Sequence, residues 1–227
     1  MADEMPAREV FAVKDCALAA IATGRRAQDL AEFSNVLQMV HPGSIYYHFW
    51  GGLLRPRFDD REYNNDFAIW VRHPQGLHDE TLAERLSVVD PTDFPTMEEL
   101  RAELVELVEE RLYDSERLRL VNADMPFNFI RSQIVVFNTR KVMEEPSMLA
   151  AALPAMSLGS VFYHVIDARR RTEGGVDDFR AWLGGLGDGY AELCNEVANI
   201  DPYFLSLSEM RHQLAAIFGR HFEGGPR

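Results

Sequence analysis

Gly43-Ser44-Ile45-Tyr46-Tyr47-His48-Phe49 returns as Gly159-Ser160-Val161-Phe162-Tyr163-His164-Val165, 116 residues further on. Carried upstream without a gap, the same shift lays Thr23 on Thr139, Arg25 on Lys141 and Leu37 on Leu153. Downstream, Asp66-Phe67-Ala68-Ile69-Trp70 meets Asp178-Phe179-Arg180-Ala181-Trp182, and Val89-Asp90-Pro91 meets Ile200-Asp201-Pro202. Leu100, Leu104, Leu107, Val108 and Leu112 then fall on Met210, Leu214, Ile217, Phe218 and Phe222. The blocks keep their order, which identifies an internal duplication with repeats at residues 11–121 and 127–222. Two long copies are too few for a solenoid, so a pseudo-twofold pair forming one compact unit is expected. The junction, Asn122 to Pro126, holds no Gly, Ser or Pro-rich linker that would free two domains from each other.

The repeat settles elements that either copy alone leaves ambiguous. Phe127 to Asn138, with Ile134-Val135-Val136-Phe137, has the β-branched and aromatic content of a strand. Its counterpart, Cys16 to Thr23, looks helical by alanine content but is read as a strand by alignment. Gln28 to Val40 and Ser147 to Met156 follow as helices. Ser44 and Ser160 are N-cap candidates for helices that carry the Tyr-His pairs, and Asp66 and Asp178 for a shorter helix after them. The five apolar positions of the last block recur at i, i+4, i+7, i+8 and i+12, one face of a helix. Asp90-Pro91 and Asp201-Pro202 fit a cap followed by proline at the first helical position. Each repeat is thus a strand followed by about four helices. The fold class is mostly α with a small β component, α+β, the two strands pairing.

Composition bounds the function. With 47% hydrophobic and 26% charged residues over 227 positions the chain is globular and long enough for a real core. No apolar run is long enough to span a bilayer, and Met1-Ala2-Asp3-Glu4-Met5 lacks the basic start of a signal peptide, so a cytoplasmic protein is expected. A net charge of −13 opposes docking on nucleic acid or on an anionic membrane leaflet. Much of the acidity lies between Glu98 and Glu116, a solvated helix face or an acidic surface for a protein partner. Lys14 and Lys141 are the only lysines, so nearly every cation is a guanidinium suited to carboxylate or phosphate. Cys16 and Cys194, without CxxC spacing, read as small buried hydrophobes.

Four groups of side chains carry candidate chemistry. His48 and His164, each after a tyrosine (Tyr47, Tyr163), can hydrogen-bond across the fold; if they converged, Asp66 and Asp178 would complete a two-nitrogen, two-carboxylate set for a divalent metal. Neither copy has the i, i+4 pair of an HExxH helix. Trp70 and Trp182 lie one turn after Asp66 and Asp178 and serve either as core or as a platform for a sugar ring. Arg25 and Arg26 follow Thr23-Gly24 at an expected strand-to-helix turn, where an anion could be held. Arg169, Arg170 and Arg171 close the second Tyr-His helix, where positive charge suits the helix dipole; the first copy has Gly51-Gly52 there, with Arg55 and Arg57 a little later. No G-x-S-x-G elbow, dinucleotide fingerprint, EF-hand loop or zinc-finger spacing is present.

Ile21-Ala22-Thr23-Gly24-Arg25-Arg26, Ser44-Ile45-Tyr46-Tyr47-His48-Phe49-Trp50, Asn65-Asp66-Phe67 and Val161-Phe162-Tyr163-His164 with Ala168-Arg169-Arg170-Arg171 resemble an uncharacterised prokaryotic family, domain of unknown function 5752. The resemblance runs from about Phe11 to Phe222 and brings no established activity. It implies an accessory role near trehalose and glycosyl-transfer enzymes. The expected function is therefore a non-catalytic binding or regulatory module for a small anionic or sugar ligand or a protein partner. The alternatives are a metal-assisted enzyme built on His48, His164, Asp66 and Asp178, and an acidic adaptor that meets a basic protein.

Overall fold

The computed structural model describes residues 10–54, 63–118 and 120–223; the Met1–Met5 stretch and the Arg55 and Arg57 pair lie outside them. Strand β1 (Phe11–Ala27) is followed by helices α1 (Leu30–Met39), α2 (Pro42–Trp50), α3 (Asp66–Arg72), α4 (Glu80–Ser87) and α5 (Met97–Asp114). Strand β2 (Phe127–Met143) then precedes α6 (Ser147–Ala152), α7 (Leu158–Val161), α8 (Asp178–Gly185), α9 (Ala191–Ala198) and α10 (Leu207–Glu223). The α+β class holds, with one two-stranded sheet among the described residues. No helix of the described residues is long and apolar enough to cross a membrane.

The alanine-rich Cys16–Ala22 stretch is extended because β2 supplies a backbone partner that helix propensity cannot outbid. Thr23 Oγ1 donates to Phe129 O and Thr139 Oγ1 donates to Val13 O, both at 2.6 Å. Ten residues forward on β1 are thus ten back on β2, the signature of antiparallel pairing without a slip. Each threonine also accepts from the N–H two residues on, Arg25 or Lys141, around a residue of positive φ, Gly24 at 73° and Arg140 at 62°.

The chain divides into two compact units whose borders fall inside the strands. One holds Leu18–Ile134; the other holds the chain up to Ala17 together with Val135 onward. In the Leu18–Ile134 unit, Phe33 of α1 meets Phe67, Trp70, Phe127 and Phe129 at ring separations of 5.3–5.6 Å. Here α5 buries Leu100, Leu104, Leu107 and Val108, as the apolar spacing requires. The Asn122–Pro126 segment is tied into the same unit by Ala123 N–H to Gln28 O and Met125 N–H to Gln75 O. In the other unit Phe11 stacks on Phe179 at 5.1 Å, and α10 buries Met210, Leu214, Ile217 and Phe218 while packing on α6.

The helix starts differ from the sequence reading by one to three positions. The N-caps are His41 and Ser157 rather than Ser44 and Ser160, and Asn65 and Asp177 rather than Asp66 and Asp178. Ser44, already helical, instead donates to Ile130 O at 2.8 Å. Asp90 caps a 3-10 turn at Pro91–Asp93 as expected, whereas Asp201 and Pro202 make only a turn.

Candidate functional site

In the unit formed by β1 up to Ala17 and the chain from Val135, the Tyr163-His164 segment is not a plain α-helix. After α7 the backbone widens into a π-helix over Phe162–Ile166 and then tightens into a 3-10 turn over Asp167–Arg170. Such insertions re-aim side chains and recur at functional sites. Here the segment turns His164 onto β1 and brings Asp167, Arg170 and Arg171 to one end. Because Asp177 caps α8 by accepting Arg180 N–H at 2.9 Å, Asp178 at the first helical position is released to face His164.

The His164 ring is 2% exposed and committed at both nitrogens: Nδ1 lies 2.7 Å from Asp178 Oδ2, and Nε2 accepts the Lys14 backbone N–H at 2.9 Å. A nitrogen that accepts an N–H carries no proton, so the imidazole is neutral with Nδ1–H donating to the carboxylate. Arg171 completes the cluster. Its Nε donates to Asp167 and its Nη2 to Asp178 and to Tyr163 O, each at 3.0 Å, and its guanidinium lies 4.0 Å from the Tyr163 ring centroid. Burial works against that charge, but hydrogen bonds and attraction to Asp178 outweigh it and raise Arg171 above its ordinary value. Burial likewise pushes the Tyr163 phenol up, with Arg171 opposing. Around this cluster lies an open cleft of about 310 Å³ lined by Phe11, Lys14, Tyr163, His164, Arg171, Asp178 and Trp182 among others.

The Leu18–Ile134 unit holds a matching but differently furnished arrangement. His48, 4% exposed, has Nδ1 3.0 Å from Asp66 Oδ2 and accepts Ile130 N–H on Nε2 at 3.1 Å. Trp70 is buried, with Nε1–H donating to Met125 O at 2.8 Å. Tyr47 is buried too.

The profile of DUF5752, described as a family of unknown function, matches residues 8–219. The chain belongs to this family. It is also similar to a solved structure described as the structure of OrfY from Thermoproteus tenax, with a TM-score of 0.80 and 25% identity over 94% of this chain and 96% of that one. No curated protein matches the sequence.

Of the residues singled out from the sequence, Tyr163, His164, Asp178 and Trp182 come together at the cleft, and Tyr47, His48, Asp66 and Trp70 belong to the other unit. Trp182 packs on Phe11 at 5.3 Å and is only 7% exposed, so it offers the cleft an edge rather than an open platform. Neither imidazole has a ring nitrogen to spare for a metal, and no group of three or more His, Cys, Asp or Glu among the described residues could hold one. Arg25 and Arg26 lie exposed within β1, not at a strand-to-helix turn. The α1 N-terminus beyond them is filled by its own carboxylates, Asp29 accepting Glu32 N–H and Glu32 accepting Gln28 N–H. Arg169 is half-buried, and Arg170 pairs with Asp167.

Sequence reasoning missed Asp167, Lys14 and Phe11. Asp167 was legible in principle, since it stands three and four residues before Arg170 and Arg171 on one helical face. Lys14 and Phe11 reach the cleft only because β1 folds against helices nearly 150 residues away. Cys16 donates Sγ–H to Gly159 O at 3.3 Å, and burial, then Asp167 and Asp15, push its thiol up to about 12. At that value it is an inert thiol.

Proposed function

We propose that the protein is a binding module that takes a small anionic sugar, of the sugar-phosphate class, in the Phe11–Lys14–Tyr163–Trp182 cleft. The observation that carries this reading is Lys14: it lines the cleft, yet its ammonium has no ion-pair or hydrogen-bond partner among the described residues. Arg171 beside it is already neutralised by Asp167 and Asp178, so it orders the wall and leaves Lys14 as the uncompensated cation. A volume of about 310 Å³ lies at the small end of ligand clefts, roughly 300–1,000 Å³, and suits one sugar ring. The aromatic edges of Tyr163 and Trp182 supply apolar contact for its C–H groups.

Two features favour binding over turnover: both imidazoles are committed at both nitrogens, and the Cys16 thiol is held protonated. The accessory role in carbohydrate metabolism that the family resemblance implies points the same way. We further read the chain as two copies of one ancestral unit, of which the copy with the π-helix has become the binding copy; the paired His-Asp arrangements support this. Free Cys16 and Cys194 fit a reducing, cytoplasmic setting.

Thermal denaturation against glucose 6-phosphate, glucose 1-phosphate, inorganic phosphate and neutral glucose tests the proposal. A ligand at a hundred times its Kd stabilises the native state by about 2.7 kcal/mol, which for a chain of this size is roughly 5–10 °C. A sugar phosphate should produce a shift of that order, and Lys14→Ala should abolish it. No shift with any sugar phosphate, or a shift that Lys14→Ala leaves intact, overturns the assignment.

A further inference from the structure

The two strand edges of the Val135-containing unit are treated differently. On β1 the edge is closed: His164 takes the Lys14 N–H, and Gly159 of α7 approaches so closely that a Cβ there would overlap the Cys16 carbonyl oxygen. On β2 nothing comparable happens between Val135 and Val142 among the described residues. Among the described residues, the side-chain bonds to that backbone come from Asn138 to Arg140 N–H and from Thr139 to Lys141 N–H, within the same strand. Val135, Val136 and Phe137 are 43%, 46% and 51% exposed, although successive strand residues point to opposite faces. Three consecutive large apolar side chains in water on both faces of an open edge are a liability that folded proteins remove unless the edge is used.

The charges say what kind of chain would cover it. In this unit the helical and turn cations Arg170, Arg171, Arg180 and Arg220 each have a carboxylate partner, while Arg211 donates to Met156 O. Those on the strands, Lys14, Arg140 and Lys141, have none among the described residues, and Val135–Met143 contains no Asp or Glu. Arg140 is moreover held at a φ of 62°, where a non-glycine residue is strained. In a protein of net charge −13, two unpaired cations, Arg140 and Lys141, stand at one end of the apolar edge, ahead of Glu144 and Glu145.

We propose that the open edge of β2 from Val135 to Val142 is a docking site for an extended, apolar segment of a partner protein with acidic flanks, which joins the sheet as an added strand. Backbone hydrogen bonds supply the affinity, Val135, Val136 and Phe137 supply apolar contact, and Arg140 and Lys141 select acidic flanks. A second copy of this chain pairing antiparallel over residues 135–142 would set Arg140 and Lys141 opposite its own Phe137 and Val136, not opposite a carboxylate.

A fluorescein-labelled synthetic peptide of alternating Val and Thr with Asp at both ends, titrated with the full chain and followed by anisotropy, tests this. Saturable binding is expected, weakened about tenfold or more by Phe137→Asn and by the double change Arg140→Gln with Lys141→Gln, and weakened again by salt. The same peptide with Lys ends should not bind. Because these side chains are exposed the variants should fold, and amide hydrogen exchange on the unaltered chain gives an independent readout, with the peptide protecting residues 135–142. Failure of the acidic peptide to bind, or equal binding of the Lys-ended peptide, overturns the proposal. So does displacement by a single-stranded oligonucleotide at lower concentration than unlabelled peptide. A dimer in sedimentation that Val136→Lys dissociates would assign the edge to a second copy instead. The sugar-phosphate reading is unaffected by any of these outcomes, since Lys14→Ala and Phe137→Asn alter different surfaces.

Discussion

His164 and His48 solve the same local problem. A strand edge presents an N–H with no strand to receive it, and a buried donor left unsatisfied costs about 1–3 kcal/mol. The imidazole Nε2 accepts that N–H, and the aspartate on Nδ1 fixes the tautomer that allows it. From the sequence, the histidines were legible as important and as hydrogen-bonded, but not what they bonded. Two ligands of one metal and two edge caps produce the same doubled Tyr-His and Asp-Phe-x-x-Trp blocks. His164→Ala tests the cap: it orphans the Lys14 N–H and removes a ring packed 4.8 Å from Phe11 and 5.8 Å from Phe179. The expected cost is about 3 kcal/mol by urea denaturation. A loss below about 1 kcal/mol would show that water or a shifted side chain replaces the imidazole without penalty.

At the scale of elements, the helices with apolar stripes were the most legible, because α5 and α10 each bury four of the five positions their spacing selects, with Leu112 and Phe222 half-buried at the ends. Caps were less so. Asn65-Asp66 and Asp177-Asp178 each offer two adjacent capping side chains, and only the demand of a histidine for a carboxylate decides which one caps. The widening at Phe162–Ile166 leaves no periodicity signal, since one wide turn barely moves the apolar phase. The two strands differ at the position of positive φ, where one has Gly24 and the other Arg140. Left-handed backbone costs a non-glycine residue about 1 kcal/mol or more, part of which glycine gives back through its freer unfolded chain. Arg140→Gly should therefore stabilise the protein by about 0.5 kcal/mol, raising the thermal midpoint by roughly 1–2 °C. The same change should weaken the acidic-ended peptide, which separates what the strain costs from what the guanidinium does. A destabilised variant would mean that the side chain stabilises the fold and that the strain has no bearing on docking.

For the whole molecule, the sequence presents similar blocks in two halves that follow one another along the chain, whereas one of the two compact units is built from both ends of the chain. The first residues of β1 fold with helices that follow β2, and residues 18–134 close on themselves, so each border falls where a strand leaves one core for another. Hydrophobic spacing cannot report that exchange, because both halves of a strand have the same pattern wherever they pack. Net charge, by contrast, was legible at once, and it carries a consequence for stability. Many helical arginines find carboxylates, as in Arg85 with Glu110, Arg72 with Glu80 and Arg220 with Glu196, but exposed pairs contribute about 0–1 kcal/mol each. Set against them is the mutual repulsion of a chain of net charge −13, which is longer-ranged and which salt suppresses once the Debye length falls below about 10 Å. Repulsion should dominate, so raising sodium chloride from about 0.02 to 0.3 M should raise the thermal midpoint by roughly 1–3 °C at neutral pH. Unpaired cations on the strands make the argument sharper, since they contribute no ion pair for salt to weaken. A midpoint that falls with salt would mean that the helical ion pairs act as a network stronger than their separate exposures imply, and would move the weight of stability from the cores to the surface.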